Sequence, residues 1–344
     1  MRKIRLLVAV LAAAAGALAT TAGSAQAATI IVNPGQSIQA AVDIASPGDT
    51  ILVRPGTYRQ EVVIQKDGIR LQGSLAAILP PPSDTSPCGA IAICVVGDVD
   101  FDTGEIFGYV HGVTVSGFVV SGFANSGIFA YAADRTMFTN NRSTDNAAYG
   151  LVAFSTTYTT MAGNTAKHYG EAGLYIGDSP VANANLHDNS SLQNTFGILF
   201  RNANGGTINH NTLIHNCAGL LVLADSPGPA SDVTIENNTV SSNNAACDSE
   251  DAGPISGAGI VLAGADHVLV HANTVQFNTP SSFTFYQGGI IVTSGPGGTP
   301  AEFNTIAGNT ALHNSPDLYW DGLGHGNVWR FNTCQTSIPH QLCS

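Results

Sequence analysis

The densest run of ionisable side chains is Lys167, His168, Tyr169, Glu171 and Asp178, with His187, Asp188 and Arg201 shortly after. Lys or His can remove a carbon-bound proton, an Arg fork can neutralise an adjacent carboxylate, and a phenol can protonate a leaving oxygen. Those are the parts of an elimination or an epimerisation at a carbon beside a carboxylate, as in a uronic-acid polymer. On this reading Lys167 or His168 is the base, Arg201 the neutraliser, and Tyr169 or Tyr175 the donor. The chemistry requires no cofactor. The other reading is that these residues are simply the polar corners of a repeating fold.

A second set could bind a cation. Asp98, Asp100, Asp102 and Glu105 alternate as calcium-loop carboxylates do, although Gly104 and the Glu sit off the helix–loop–helix pattern. Calcium is the one ion they suggest. His210, His215, His267, His271 and His313 are scattered, with no Cys or Met partner set, and make a weak metal case.

The elements that must carry these residues repeat. Gly followed by Ile or Leu begins at Gly127, Gly150, Gly173, Gly197 and Gly219, at spacings of 23, 23, 24 and 22, and continues at Gly259 and Gly289. An Asn series keeps the same beat: Asn141, Asn164, Asn189, Asn211, Asn238, Asn273, Asn309 and Asn332. A second Asn follows five residues later in six cases (Asn146, Asn194, Asn216, Asn243, Asn278, Asn314), while Tyr169 and Ser337 hold that place in the other two. A period in the low twenties means stacked coils. The short β-favouring runs lack a helical stripe and a leucine-rich frame. This predicts an all-β parallel solenoid. Its Gly and Asn corners suit left-handed backbone, and like-placed amides stack as a ladder.

Strand alternation then sorts the faces. Ile128/Ala130, Leu151/Ala153, Leu174/Ile176, Ile198/Phe200 and Leu220/Val222 point inward. Phe129, Tyr131, Phe154 and Tyr175 point outward, with Arg201, Glu171 and Asp178 nearby. Aromatic faces stack on pyranose rings, so this strip is a candidate sugar groove. Alternatively inserted loops bury it as a satellite core. Leu199, Leu221 and Leu223 favour burial for the later coils.

Met1 to Ala27 has Arg2, Lys3 and Arg5, an apolar stretch and a small-residue cleavage site, as in an exported leader. No later run is long and apolar enough to span a bilayer. Without the leader the chain has 9 basic and 24 acidic residues, a charge of −15. That argues against nucleic acid and anionic membranes as partners. Six cysteines in an exported chain suggest disulfides. Fifteen connectivities are formally open, and proximity favours Cys88 with Cys94, Cys217 with Cys247, and Cys334 with Cys343.

One domain is expected over 28–344, with opening coils at 28–73, regular repeats at 127–334 and a tail at 335–344. Residues 75–108 depart from the beat and read as an excursion. Further insertions are expected at 225–231, 245–256, 279–287 and 294–300. Ile38, Ala41, Val42 and Ala45 predict an amphipathic helix with Ser37 as N-cap, placed to cover the open apolar end of the stack.

The runs 32–42 (VNPGQSIQAAV) and 48–58 (GDTILVRPGTY), with the Asn-Thr coils, resemble the pectin-lyase-like right-handed parallel β-helix superfamily. The resemblance covers nearly all of 28–344. It implies that fold and an activity on, or binding to, an extracellular polysaccharide or cell-wall glycan, such as a polyuronate lyase or epimerase. The alternative is a non-catalytic glycan-binding or surface-architecture protein. A secreted monomer is expected. Of the superfamily's catalytic signatures only the Gly-His-Gly at Gly324 to Gly326 is present, without its carboxylates.

Overall fold

A computed structural model describes residues 27–83, 86–225, 228–249 and 252–343. The predicted leader, apart from Ala27, lies outside the described residues.

Each coil contributes short strands to long faces, and every strand pairs in parallel with its counterpart one coil away. On the first face Leu151–Phe154 pairs with Ile128–Tyr131 on one side and with Ala172–Ser179 on the other. The register runs Ile128, Leu151, Leu174, Ile198, Leu220, Ile260, Ile290 and Leu318, one above the next. All eight are fully buried. Removing one such side chain from water stabilises by about 1.5–3 kcal/mol, so the pile is the main source of cohesion. This is a parallel β-helix. Its second and third faces run through strands such as Thr160–Ala162 and Thr165–Lys167.

The Asn series forms a continuous ladder where the second face turns into the third. Side-chain amides link Asn141, Asn164, Asn189, Asn211, Asn238, Asn273, Asn309 and Asn332 at 2.9–3.2 Å. Each ladder amide also donates to a backbone carbonyl below, as Asn211 does to Leu186 at 2.9 Å. Buried amides so paired avoid the cost of an unmet donor. A second ladder runs Asn194, Asn216, Asn243, Asn278 and Asn314. It ends at Asp317, which accepts from the Gln335 and Thr336 amides of the tail. A short third ladder, Asn304 to Asn327, has no counterpart in the expected series.

The left-handed corner residue differs from the expected one. It is not the ladder Asn but the residue before it: Asn140, Asp188, His210, Asn237, Ala272 and Phe331 in one column, and Asp145, His168, Gln193, His215, Ser242, Phe277 and His313 in the other. With His267, five of the ten histidines take the left-handed backbone, a role their tolerance of positive φ allows.

Helix α1 (Ile38–Ile44) has Ser37 as its N-cap, with Ser37 Oγ accepting from the Ala40 amide at 3.1 Å. It buries Ile38, Ala41 and Val42 and leaves Ile44 in solvent. The excursion contains a hidden coil: Ile93–Val96 lies between Val62–Ile64 and Ile128–Tyr131 on the first face. It lacks the Gly-Ile signature, which is why the beat missed it. All six cysteines are paired, as Cys88–Cys94, Cys217–Cys247 and Cys334–Cys343.

Candidate functional site

The outward strip of the first face is divided by two insertions. Over the later coils, the hairpin of Cys247–Ser249 with Gly253–Ile255 and the loop before Gly288–Thr293 fold onto the strip. Leu199, Leu221, Leu223, Val261 and Ile291 are buried there with Ala252, Ile255 and Tyr286 as a satellite core. Cys217–Cys247 ties the hairpin to the coil beneath it.

Over the earlier coils the strip stays open. Phe129 and Tyr131 on one coil and Phe154 on the next are half-buried, the Phe129 ring centroid lying 6.3 Å from that of Tyr131 and 6.1 Å from that of Phe154. The antiparallel pair Asp98–Val99 and Ile106–Gly108 raises a wall beside them. It brings Phe101 to 6.3 Å from the Tyr131 ring, and the Tyr131 hydroxyl donates to the Gly104 carbonyl at 3.2 Å. The resulting cleft, about 410 Å³, is lined by Phe101, Gly104, Phe129, Tyr131, Phe154, Ser155 and Asp178. A larger cleft of about 560 Å³, bordered by Asp225, Asp266 and Glu302, has no aromatic lining.

Phe101, Gly104 and Ser155 were not anticipated. The signal available for Phe101 was its company: Phe101, Phe107 and Tyr109 are large, exposed apolar groups inside an acidic insertion.

Tyr175 is a support rather than a contact. It is 1% exposed, and its ring meets Phe154 edge-on at 4.8 Å and Tyr149 at 5.2 Å. Phe154 can lie there because the outward place above it is Gly177: a Cβ on Gly177 would stand 2.7 Å from Phe154 Cε1.

Arg201 is already matched. Its Nε donates to both Asp225 oxygens at 3.0 and 2.9 Å, and its Nη2 lies 2.8 Å from Asp225 Oδ2. Nη1 donates to the Tyr175 hydroxyl at 3.4 Å. Asn202 Nδ2 donates both to Asp225 Oδ1 at 2.6 Å and to Asp178 Oδ1 at 3.3 Å. Asp178 itself is an exposed corner residue at φ 45.

The proposed elimination set does not assemble around the cleft. Lys167 ends a third-face strand, between Thr144 and Leu192. His168 is on the following corner, its Nδ1 2.9 Å from Asp145 and its Nε2 2.8 Å from Gln193. Tyr169 is buried, and that burial pushes its phenol well above the ordinary value despite hydrogen bonds with Ser143 and Asn146. It fills the vacant rung of the second ladder, so a proton-donor role is replaced by a structural one. Glu171 precedes the strand Ala172–Ser179 and meets Ser249 of the covering hairpin at 3.5 Å, away from the cleft lining.

The calcium reading also changes. Asp100 Oδ1 accepts from the Asp102 and Thr103 amides at 2.9 and 3.2 Å, which closes the hairpin turn. Asp98 lies on one strand of that hairpin and Glu105 just before the other. Among the described residues no group of three His, Cys, Asp or Glu side chains is arranged to hold a metal ion. Nor, among them, is any helix long and apolar enough to cross a membrane.

The family profile described as "Right handed beta helix region" matches residues 86–195 and 126–311. No curated protein matches the chain significantly in sequence. Solved structures of similar fold include the A-module of the mannuronan C-5 epimerase AlgE4 of Azotobacter vinelandii, at TM-score 0.57 and 16% identity over 89% of this chain and 94% of that one. A family 28 exopolygalacturonase of Yersinia enterocolitica superposes at TM-score 0.53 and 14% identity, over 91% and 77%. An alginate lyase of Paenibacillus sp. str. FPU-7 does so at TM-score 0.53 and 14% identity, over 89% and 99%. At these identities the likeness is one of fold.

Proposed function

The chain belongs to the right-handed β-helix family, and from that premise we propose that it is an exported protein that binds an extracellular polysaccharide in the aromatic cleft of its first face. The observation that carries this reading is the cleft itself: Phe101, Phe129, Tyr131 and Phe154 converge on one open trough, while Leu199, Leu221 and Val261 on the following coils are roofed over. Flat aromatic faces left half in water suit the apolar faces of sugar rings. Three disulfides fit an oxidising compartment. Polysaccharide-processing proteins of the same fold support the substrate class.

The test is a glycan array probed with wild type and with Tyr131→Ala. Wild type is expected to be retained on a defined set of glycans, and Tyr131→Ala to lose that set while melting at a similar temperature. Retention unchanged by Tyr131→Ala, or no retention at all, removes the reading.

A catalytic reading has one observation in its favour. Asn202 Nδ2 bridges Asp178, which lines the cleft, to Asp225, which borders the larger cleft, and glycosidic hydrolysis uses a pair of carboxylates. The elimination or epimerisation reading would instead free Arg201 from Asp225 to meet a uronate, and draws its support from the epimerase and lyase of similar fold. A polysaccharide panel followed by reducing-end and ultraviolet product assays separates hydrolysis, elimination and binding alone. Helix α1, seated on the first coils, is proposed to close the lumen there.

A further inference from the structure

We infer that the saccharide taken by the aromatic cleft carries a protonated amine, as a 2-amino-2-deoxy sugar polymer does, rather than a carboxylate. This rests on the binding reading above and specifies its ligand.

The charges around the cleft point one way. Of the side chains that line it, Asp178 alone is charged, and none is Lys or Arg. The neighbouring cation, Arg201, is held by three contacts of 2.8–3.0 Å to Asp225. An incoming carboxylate would therefore meet an exposed carboxylate and no available counter-charge, on a chain whose formal charge is −12. Bringing like charges together without a partner is unfavourable.

The aromatic lining adds to the same preference. The faces of Phe101, Phe129, Tyr131 and Phe154 present negative quadrupole density, which attracts an ammonium but gives nothing to a carboxylate. A sugar ring stacked on these faces would place one substituent toward the Asp178 end of the trough. An ammonium there gains both the rings and the carboxylate. An acetamido group keeps the stacking but forfeits the charge.

Glucosamine hexamer, N-acetylglucosamine hexamer and galacturonate hexamer are titrated calorimetrically into the whole protein and into Asp178→Asn. Asn accepts the left-handed backbone at this position, so the variant retains the corner. The expected result is that wild type binds the glucosamine oligomer about tenfold more tightly than the acetylated one, with a gap that narrows in salt. Asp178→Asn closes the gap, with the glucosamine oligomer losing its advantage over the acetylated one. Attraction of a polycation to the acidic surface at large would hardly notice the loss of one carboxylate, so it predicts no change in Asp178→Asn, and that result overturns the inference. So does equal affinity for the amine and acetamide, tighter binding of galacturonate, or no binding of the glucosamine oligomer. In each of those cases the array with Tyr131→Ala still decides separately whether the cleft binds any glycan.

Discussion

The Tyr169 hydroxyl donates to Ser143 Oγ at 2.7 Å, across one coil of the β-helix. It also accepts from Asn146 Nδ2 at 3.2 Å, while the Tyr169 amide donates to Asn194 Oδ1 at 3.1 Å. A phenol thus spans the gap where the second ladder lacks an asparagine. Tyr169→Phe leaves the ring in place but withdraws a donor from a buried hydroxyl. It should cost about 1–2 kcal/mol in urea unfolding, with glycan affinity unchanged. A proton donor would show the reverse: intact stability and abolished turnover.

The fold was legible because its two strongest constraints are written at fixed spacing. A Gly-Ile/Leu pair marks the first-face strands from Ile128 to Ile290, and an Asn marks most of their corners, so even coils separated by insertions remain in phase. What escaped was set by contacts between segments far apart. The partner of Arg201 is Asp225, in the turn that leaves the following coil. The roof over Leu221 and Val261 comes from insertions that no periodicity describes. Lys167 and His168 looked catalytic because ionisable types cluster there, yet His168 is a left-handed corner residue. Spacing told which residues share a column. It did not tell which columns are covered.

Acid should loosen the wall of the cleft through Asp134. Burial raises this carboxyl, but hydrogen bonds from Thr157 and His111 and the charges of Arg135 and His111 outweigh it, so the net shift is downward. The strand Ala133–Asp134 pairs with Val110–His111, at the base of the excursion that carries Phe101. A depressed folded pKa means stability that is fully present above the unfolded value, near 3.9. It is lost as pH falls through the lower folded value. Melting temperature should therefore drop on going from about pH 5 to about pH 3. In Asp134→Asn the neutral-pH melting temperature should be lower and that drop smaller. An equally steep acid limb in the variant would assign the effect to other carboxylates.

The roof should be separable from the cleft. Cys217–Cys247 closes a loop of 30 residues and fixes the hairpin over Leu221 and Val261. Cross-links of that span contribute about 3–4 kcal/mol in the chain-entropy account. The double variant Cys217→Ala/Cys247→Ala should melt earlier, bind a hydrophobic dye more strongly and be cut by protease near residues 247–255. Its saccharide affinity should stay close to wild type, because no cleft-lining residue lies on the hairpin or on the coil that carries Cys217.

Gly177 controls the shape of the cleft from beneath. A Cβ there would lie 2.7 Å from Phe154 Cε1 and 2.8 Å from Tyr175 Cε2, closer than carbon atoms can stand. Gly177 itself does not take the left-handed backbone, so the added methyl acts on the two rings. Gly177→Ala must push the Phe154 ring outward into the trough, at an overpacking cost of about 1–3 kcal/mol. Saccharide affinity should fall several-fold, with a change in the near-ultraviolet circular dichroism of the stacked rings. Combining it with Phe154→Ala relieves the clash, so the double variant should be more stable than the sum of the two single losses predicts. Its affinity should remain low, because the stacking face is gone. Additive stability losses would mean that Phe154 does not rest on Gly177, and an unchanged affinity in Gly177→Ala would place the sugar elsewhere on the helix.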